Sequence, residues 1–536
     1  MKWMQDYAKQ GELGTGILFQ YINSIVNVLS GFLFYIYIIH FYNSELLGTV
    51  SLLLALVSLL NIVFSLGIGV GMQHFISYHM GRREHDLIKN MIKRFELLGG
   101  ILGLTGAIFI YIASYPLANL FFHTYKYILL IKLSGVDLFF LLQSGILGSN
   151  LIGLQRFKTQ AIWSVTGLIL AYSTPIAFLI IFHALYWIVI GWSLGYAASS
   201  LGFFLNLERI RKNIKTVDEK FFDLSSLFIY SLPVFVSSLI GYGATYVDRF
   251  IVSYLLNLSE LGIYNFSLLM ISAISFLIAP INSILLPKIS YMYGENEHDK
   301  IRFTIAKGIE ILAAIYLPLA LITAALSSYI LLLLANKSYE GGSLPIEIIL
   351  TVSSIFVAGN VLSVGLQAIK KTKVFLYTST SALFSNLILS FILIPRFQIV
   401  GASIGFSSIS VVSFLLLYYF SKRFRILMID LRKIGKIYLS GFSVFLLLYF
   451  IKGIVDYSVL HLFMLILLGF IIYVLLLRTL RAFRKDDLDF LFSILPEFFR
   501  KFELFTRKIL LSGWIIFQKW YIANSNNGLV TLNWSI

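Results

Sequence analysis

The residues that can do chemistry in this chain are ionisable groups in apolar surroundings. Asp248 and Arg249 stand side by side within the apolar stretch 226–255. Lys132 and Asp137 lie in the stretch 128–153, and Glu310 lies about two turns inside 303–327. A charge held at membrane depth costs about 2.5–3.5 kcal/mol on insertion scales, so each needs a partner, a water-filled cavity or a substrate. Arginine is permanently charged and grips phosphate oxygens through two parallel hydrogen bonds. Neighbours on a helix project about 100° apart, so Asp248 and Arg249 cannot serve the same partner equally well. Amides such as Asn27 and Gln143 can add neutral hydrogen bonds. The candidate cavity set is therefore Arg249, Asp248, Asp137, Lys132, Asn27 and Gln143. The competing reading makes Arg249 a structural partner of an acid on another helix, such as Asp137. It makes most amides, with Asn265, Asn282, Asn360 and Asn386 among them, bridges between helices.

Other motifs carry less. Gly191–Gly195 and Gly401–Gly405 fit the G-x-S-x-G pattern of a nucleophile elbow. That motif needs a strand-to-helix turn, whereas both copies sit in apolar helical stretches, where small residues favour close packing. Glu84-His85-Asp86 and Glu297-His298-Asp299 resemble metal or acid–base triplets, but they lie in short loops without further His or Cys partners. With no cysteine at all, thiol nucleophiles and cysteine metal sites are excluded. No Walker A sequence is present. No cofactor and no metal are expected.

The elements that must position these residues are membrane helices. Of 536 residues, 58% are hydrophobic and 13% charged, with mean hydropathy +0.86. Too little polar material exists to cover a water-soluble globule. About 20 apolar residues cross a bilayer, and fourteen candidate stretches follow one another from 14–40 to 459–478. With the N-terminus inside, 36 of the 42 basic residues fall in inner segments. Lys126, Lys132, Lys337, Arg396 and Lys452 fall outside, and Arg249 within a span. The positive-inside rule then puts both termini in the cytoplasm. The net charge of +16 becomes an orientation signal facing anionic lipid, and nucleic acid is not an expected partner.

The chain also repeats itself. ISYHMGRREHDLIK from Ile76 and ISYMYGENEHDKIR from Ile289 share eight of fourteen residues, aligning Gly81 with Gly294. Gly153-Leu154-Gln155 matches Gly365-Leu366-Gln367, and Gly191–Gly195 matches Gly401–Gly405. Six spans per copy is even, so the copies enter the membrane in the same direction, as parallel repeats. The expected fold is an all-α integral membrane protein of about fourteen transmembrane helices: two six-helix repeats plus two extra spans. The expected domains are a lobe at 1–205, a cytoplasmic linker at 206–225, a lobe at 226–420, two additional helices at 421–478 and an amphipathic cytoplasmic tail at 479–536. Such an architecture suits substrate binding between halves with alternating access.

Tyr246-Val247-Asp248-Arg249-Phe250, Leu261-Gly262-Ile263-Tyr264 and Leu286-Pro287-Lys288-Ile289-Ser290, with Leu154-Gln155-Arg156, resemble the polysaccharide-biosynthesis flippases of the Wzx type. These form part of the MOP superfamily, beside MurJ-type lipid II flippases and MATE exporters. The resemblance implies a V-shaped pair of six-helix lobes around a cationic cavity. It implies export of a lipid-linked oligosaccharide on a polyprenyl or dolichyl phosphate or pyrophosphate from the inner to the outer leaflet of the cell membrane. Membrane lipids and glycan-assembly enzymes would be the other partners. The first span has no carboxylate beyond Glu12 at its edge, which speaks against a MATE-like drug antiporter. Two alternatives stay open: a MATE-like or other exporter of a small amphiphile, and a membrane-embedded glycosyltransferase or polymerase. The longest outer loop, about 328–345, carries one carboxylate, Glu340, and no acid pair, so the chain reads as a transporter and not an enzyme.

Overall fold

The computed structural model describes residues 10–214, 221–275, 278–335, 337–339, 341–484 and 487–489. Side chains are described from residue 22, except at 279, 280, 283, 284 and 287. The tail expected over 479–536 lies outside the described residues beyond 489. Among the described residues the chain is helical: α1 (Gln10–Phe41), α2 (Ser44–Ser65), α3 (Ile68–Gly81), α4 (His85–Leu117), α5 (Ile128–Gly153), α6 (Phe157–Phe182), α7 (Tyr186–Asn213), α8 (Leu224–Leu255), α9 (Leu258–Ser275), α10 (Ile278–Gly294), α11 (His298–Ala325), α12 (Ser327–Leu334), α13 (Ser343–Ile355), α14 (Ala358–Ala368), α15 (Lys373–Arg423), α16 (Leu431–Ile451) and α17 (Val459–Thr479).

Twelve of these helical stretches are long and apolar enough to cross a bilayer, and the bent pair α13–α14 makes a thirteenth span. α15 has 51 residues, roughly 75 Å at 1.5 Å per residue, against a hydrocarbon core of about 30 Å. Its backbone leaves the helical region at Gln398 (φ 51°, ψ −131°), after Pro395. Two helices meet there, so twelve to thirteen candidate spans stand beside the roughly fourteen expected. Large apolar side chains lie exposed along the helices: Ile112 is 72% exposed and Phe450 also 72%. In water such a surface would aggregate; in lipid it is the solvated face. The chain is a multi-pass membrane protein.

The repeat is visible in local backbone geometry. α3 ends at Gly81 and α10 at Gly294, and each is followed by the same turn. Glu84 N–H donates to His79 O at 3.0 Å, and Glu297 N–H to Met292 O at 2.9 Å, with Arg83 and Asn296 both left-handed. The second sequence match shifts by about one helical turn. Past α5 the left-handed residue is Gln155; past α14 it is Lys370, not Gln367. Arg156 N–H bonds to Leu151 O, and Lys371 N–H to Leu366 O, in the same pattern. The Gly-Leu-Gln identity therefore aligned residues three positions out of register.

Contacts divide the chain into two compact units. The first comprises Met1–Leu269, Leu334–Glu340 and Leu383–Phe406; the second comprises Met270–Leu333, Gly341–Ala382 and Ser407–Ile536. In the first unit α6 and α7 form a tight hairpin. A Cβ on Gly195 would lie 2.4 Å from the Ala171 nitrogen, and a Cβ on Gly401 would lie 2.4 Å from Leu393 O. Both G-x-S-x-G segments are thus helix-packing surfaces. One end of the unit is sealed by Phe222, buried among Phe75, Phe95 and Ile92. Arg94 donates to Phe222 O at 2.8 Å, pinning the linker to α4.

In the second unit α11 is the core helix, with Tyr316, Leu317, Pro318, Ala320 and Leu321 buried. The two extra spans dock on it. A Cβ on Gly441 of α16 would meet Leu321 at 3.1 Å, and Tyr473 of α17 donates to Ala314 O at 3.1 Å. Tyr438 of α16 donates to Ile355 O at 2.7 Å, satisfying a carbonyl freed where α13 and α14 bend by 45°.

Candidate functional site

The site builds from one face of α8. Tyr242, Tyr246 and Arg249 are spaced by four and three residues and so share a face. Their groups stack in sequence. The Tyr242 and Tyr246 rings lie 4.3 Å apart and nearly parallel, and the Arg249 guanidinium sits 4.1 Å over Tyr246. Such a cation–π contact contributes about 0.5–2 kcal/mol, more as water is excluded. Tyr242 anchors the row by donating its hydroxyl to Ala55 O of α2. Arg249 donates to Thr245 O at 2.8 Å and, at 3.4 Å, to Asn265 Oδ1 of α9. No carboxylate lies within ion-pair distance of it among the described residues. The guanidinium is held in place and half-buried.

Asp248 takes the opposite direction. It is fully buried and accepts hydrogen bonds from the Tyr264 hydroxyl of α9 and, at 3.4 Å, from Asn386 Nδ2 of α15. Asn386 also donates to Ala244 O at 3.0 Å and accepts from Ser390 at 2.9 Å. The acid thus knits α8, α9 and α15 together and fixes the rotation of α8 that presents Arg249. The two neighbours do separate work, as their 100° offset requires.

The other candidates are scattered. Asp137 is buried on α5 beside Ser193 of α7, which hydrogen-bonds it, with Oδ1 left without a partner among the described residues. It pairs with no arginine there, so the Asp137–Arg249 bridge is not formed. Tyr196, Tyr172 and Tyr35 lie within electrostatic reach of one another. Tyr196 is also within that reach of Asp137, and Tyr35 of Tyr246 and Arg249. Lys132 instead lies 4.7 Å over Tyr111 and 5.3 Å from Tyr115, two exposed rings of α4, an interfacial arrangement. Gln143 faces the Gly99–Gly100 surface of α4 with Oε1 buried and unbonded. Asn27 is exposed on α1. The structure therefore groups Arg249, Asp248 and, through the tyrosines, Asp137; it sets Lys132, Gln143 and Asn27 elsewhere.

Sequence reasoning missed the closest crossing in the first unit. Asn43-Ser44-Glu45-Leu46-Leu47-Gly48 opens α2, and Asn257-Leu258-Ser259-Glu260-Leu261-Gly262 opens α9. A Cβ on Gly48 would lie 1.7 Å from Leu258 O; a Cβ on Gly262 would lie 1.8 Å from Ser44 O. The contact is reciprocal between residues 214 apart, so it obeys a pseudo-twofold relation. Ser44 and Ser259 hydroxyls meet at its centre, 2.6 Å apart. The shared Leu-Gly at this offset was the available signal.

Missed as well was a buried ion cluster in the second unit. Lys433 of α16 lies 2.5 Å from Glu310 and 2.6 Å from Asp487; Lys307 lies 2.5 Å from Asp487 and 3.1 Å from Glu310. Burial alone would raise the Asp487 carboxyl, but hydrogen bonds from Lys307, Lys433 and the Arg484 N–H outweigh it and hold it below the usual range. The two EHD triplets are helix starts: Glu84 pairs with Arg82 at 3.1 Å, and Glu297 with Lys300 at 2.5 Å. Among the described residues no group of His, Cys, Asp and Glu could hold a metal.

Stacked phenols and a braced guanidinium mark this face of α8 as the candidate site. The sequence profile of the polysaccharide biosynthesis protein family matches residues 41–342, more than half of the chain, and the chain belongs to that family. Over 199 residues it is 29% identical to "Capsular polysaccharide biosynthesis protein CapF" of Staphylococcus aureus, covering 37% of this chain. The match spans half the length of that relative. A structure of "Lipid II flippase MurJ, inward closed conformation" aligns with TM-score 0.70 at 19% identity, over 86% of this chain and 98% of that one. An inward-facing multidrug resistance MATE family transporter of the MOP superfamily aligns with TM-score 0.59 at 17% identity, over 77% and 98%. A MOP superfamily transporter from Pyrococcus furiosus gives 0.54 at 17%, over 77% and 95%. The chain shares the fold of these proteins.

Proposed function

We propose that the protein moves a lipid-linked oligosaccharide from the cytoplasmic to the outer leaflet of the cell membrane by alternating access. Both termini are cytoplasmic in this reading. The observation that carries it is Arg249: a positioned cation with no acid at ion-pair distance among the described residues, in a member of a polysaccharide biosynthesis family. Such a group suits the phosphate or pyrophosphate that joins glycan to lipid. The phenols of Tyr35, Tyr172 and Tyr246 add donors and aromatic faces. In the proposed orientation the Gly48–Gly262 crossing lies at the outer end of α2 and α9, where it would close the path outward. Six-helix copies in parallel supply the two halves that rock. The reaction is transport and makes or breaks no covalent bond. Membrane lipids and the enzymes that assemble the glycan are the remaining partners.

Depletion of the protein in its host tests the reading. A lipid-linked glycan should accumulate on the inner leaflet while its assembly continues. Unchanged delivery of every such glycan to the outer leaflet would contradict it.

A further inference from the structure

The second unit contains a cavity of about 590 Å3, inside the ~300–1,000 Å3 range of small-molecule sites. It lies at a bent span, where Phe356 and Val357 form the 45° bend between α13 and α14. Irregular backbone at membrane depth is tolerated where it is buried in protein or lines a cavity, and broken helices mark transporter binding sites.

Its chemistry differs from that of the Arg249 face. Among the described residues no lysine, arginine, histidine, aspartate or glutamate lines it. Asn282, Asn360, Ser363, Ser410 and Ser413 supply neutral donors and acceptors. Asn282 Oδ1 is buried and has no hydrogen-bond partner among the described residues. A buried amide oxygen without a donor is destabilising, so its retention points to a donor from outside the protein. Tyr316 is already engaged, its hydroxyl 3.2 Å from Ser353 and 3.4 Å from Ser275. Phe356 and Phe414 pack tilted at 5.4 Å and offer apolar ring faces. A phosphate entering such a space would lose its hydration with no cation to replace it.

We propose that this cavity binds an uncharged saccharide ring. The hydroxyls of a sugar both donate and accept, matching serine and asparagine side chains, and its C–H faces suit phenylalanine. The inference rests on the transport reading and deepens it: the cavity takes a neutral sugar of the transported glycan.

The test measures binding to the full-length chain in detergent. One probe is the lipid-linked glycan purified from depleted cells; the other is the same isoprenoid carrier diphosphate without sugar. Wild-type protein should bind the glycan-bearing probe more tightly. Asn282→Leu should weaken that probe about three- to tenfold, and leave the bare carrier within twofold. Ser410→Ala, a smaller change that keeps the fold if Asn282→Leu does not, should shift the same probe in the same direction. Arg249→Ala should weaken both probes. Equal wild-type affinity for the two probes overturns the inference, as does an equal effect of the cavity variants on both or none on either. Binding of neither probe by the wild type overturns the transport reading, and the inference with it.

Discussion

Arg249 and Lys433 are both long cations on apolar helices, and their surroundings treat them in opposite ways. Lys433 is 7% exposed and sits between two carboxylates, with Lys307 completing a cluster of two cations and two acids. Its charge is cancelled locally and every partner is protein. Arg249 is half-buried, braced by Thr245 O, Asn265 and a tyrosine ring, and has no carboxylate within ion-pair distance among the described residues. Geometry is held in both places, but charge is balanced in only one. A balanced buried cluster is a structural device that ties α11, α16 and the segment after α17 together. A braced but unbalanced cation keeps its attraction for something else.

The comparison breaks most visibly at the cluster. Lys433→Met leaves Glu310 and Asp487 buried with one lysine between them. It should cost about 3–5 kcal/mol, the penalty for removing one partner of a buried pair. Thermal unfolding in detergent reads this directly. Adding Glu310→Met restores neutrality and should recover most of the loss; a double variant no more stable than the single would contradict the cluster's balanced account. Next in size is Tyr264→Phe, which removes a hydrogen bond to the Asp248 carboxylate. A loss of about 1.5–3 kcal/mol is expected, with reduced transport because α8 is freer to turn Arg249 away. Wild-type stability in Tyr264→Phe would mean that Asp248 does not anchor α8.

The smallest effect concerns pH. Asp487 is held below its ordinary value of 3.8 in the folded chain. Its contribution is therefore present above about pH 4 and is lost as pH falls through the lower, folded value. Unfolding midpoints should decline as pH drops below about 4, and Asp487→Asn should flatten that slope. An unchanged slope would place the acid sensitivity elsewhere.

Much of this arrangement was legible in the residues because it is periodic or local. Fourteen spans, the repeated turn after Gly81 and Gly294, and the packing role of Gly191–Gly195 follow from runs, spacings and residue size. Asp248 and Arg249 stood out because charge is rare in such a run. What escaped depends on partners far apart in sequence. Glu310 was noticeable, but Lys433 and Asp487 lie 123 and 177 positions further on, beyond the reach of any local pattern. Lys132 sat in the same span as Asp137, yet five residues turn a helix by about 140°, so one faces the α4 tyrosines and the other the α7 serine. The Gly-Leu-Gln match misled because short identities slip by a helical turn without changing the pattern of apolar faces.

The central claim is that Arg249 is kept unpaired in order to hold the substrate's phosphate. Flux of the lipid-linked glycan in proteoliposomes carrying wild type, Arg249→Lys or Arg249→Ala tests it most directly. Both variants should insert and remain folded, since Asp248 keeps its hydrogen bonds from Tyr264 and Asn386. Arg249→Ala should lose about tenfold or more of its flux, and Arg249→Lys should also fall well short, because an ammonium cannot make two parallel bonds to one phosphate. Wild-type flux in both variants would contradict the account and remove Arg249 from the mechanism.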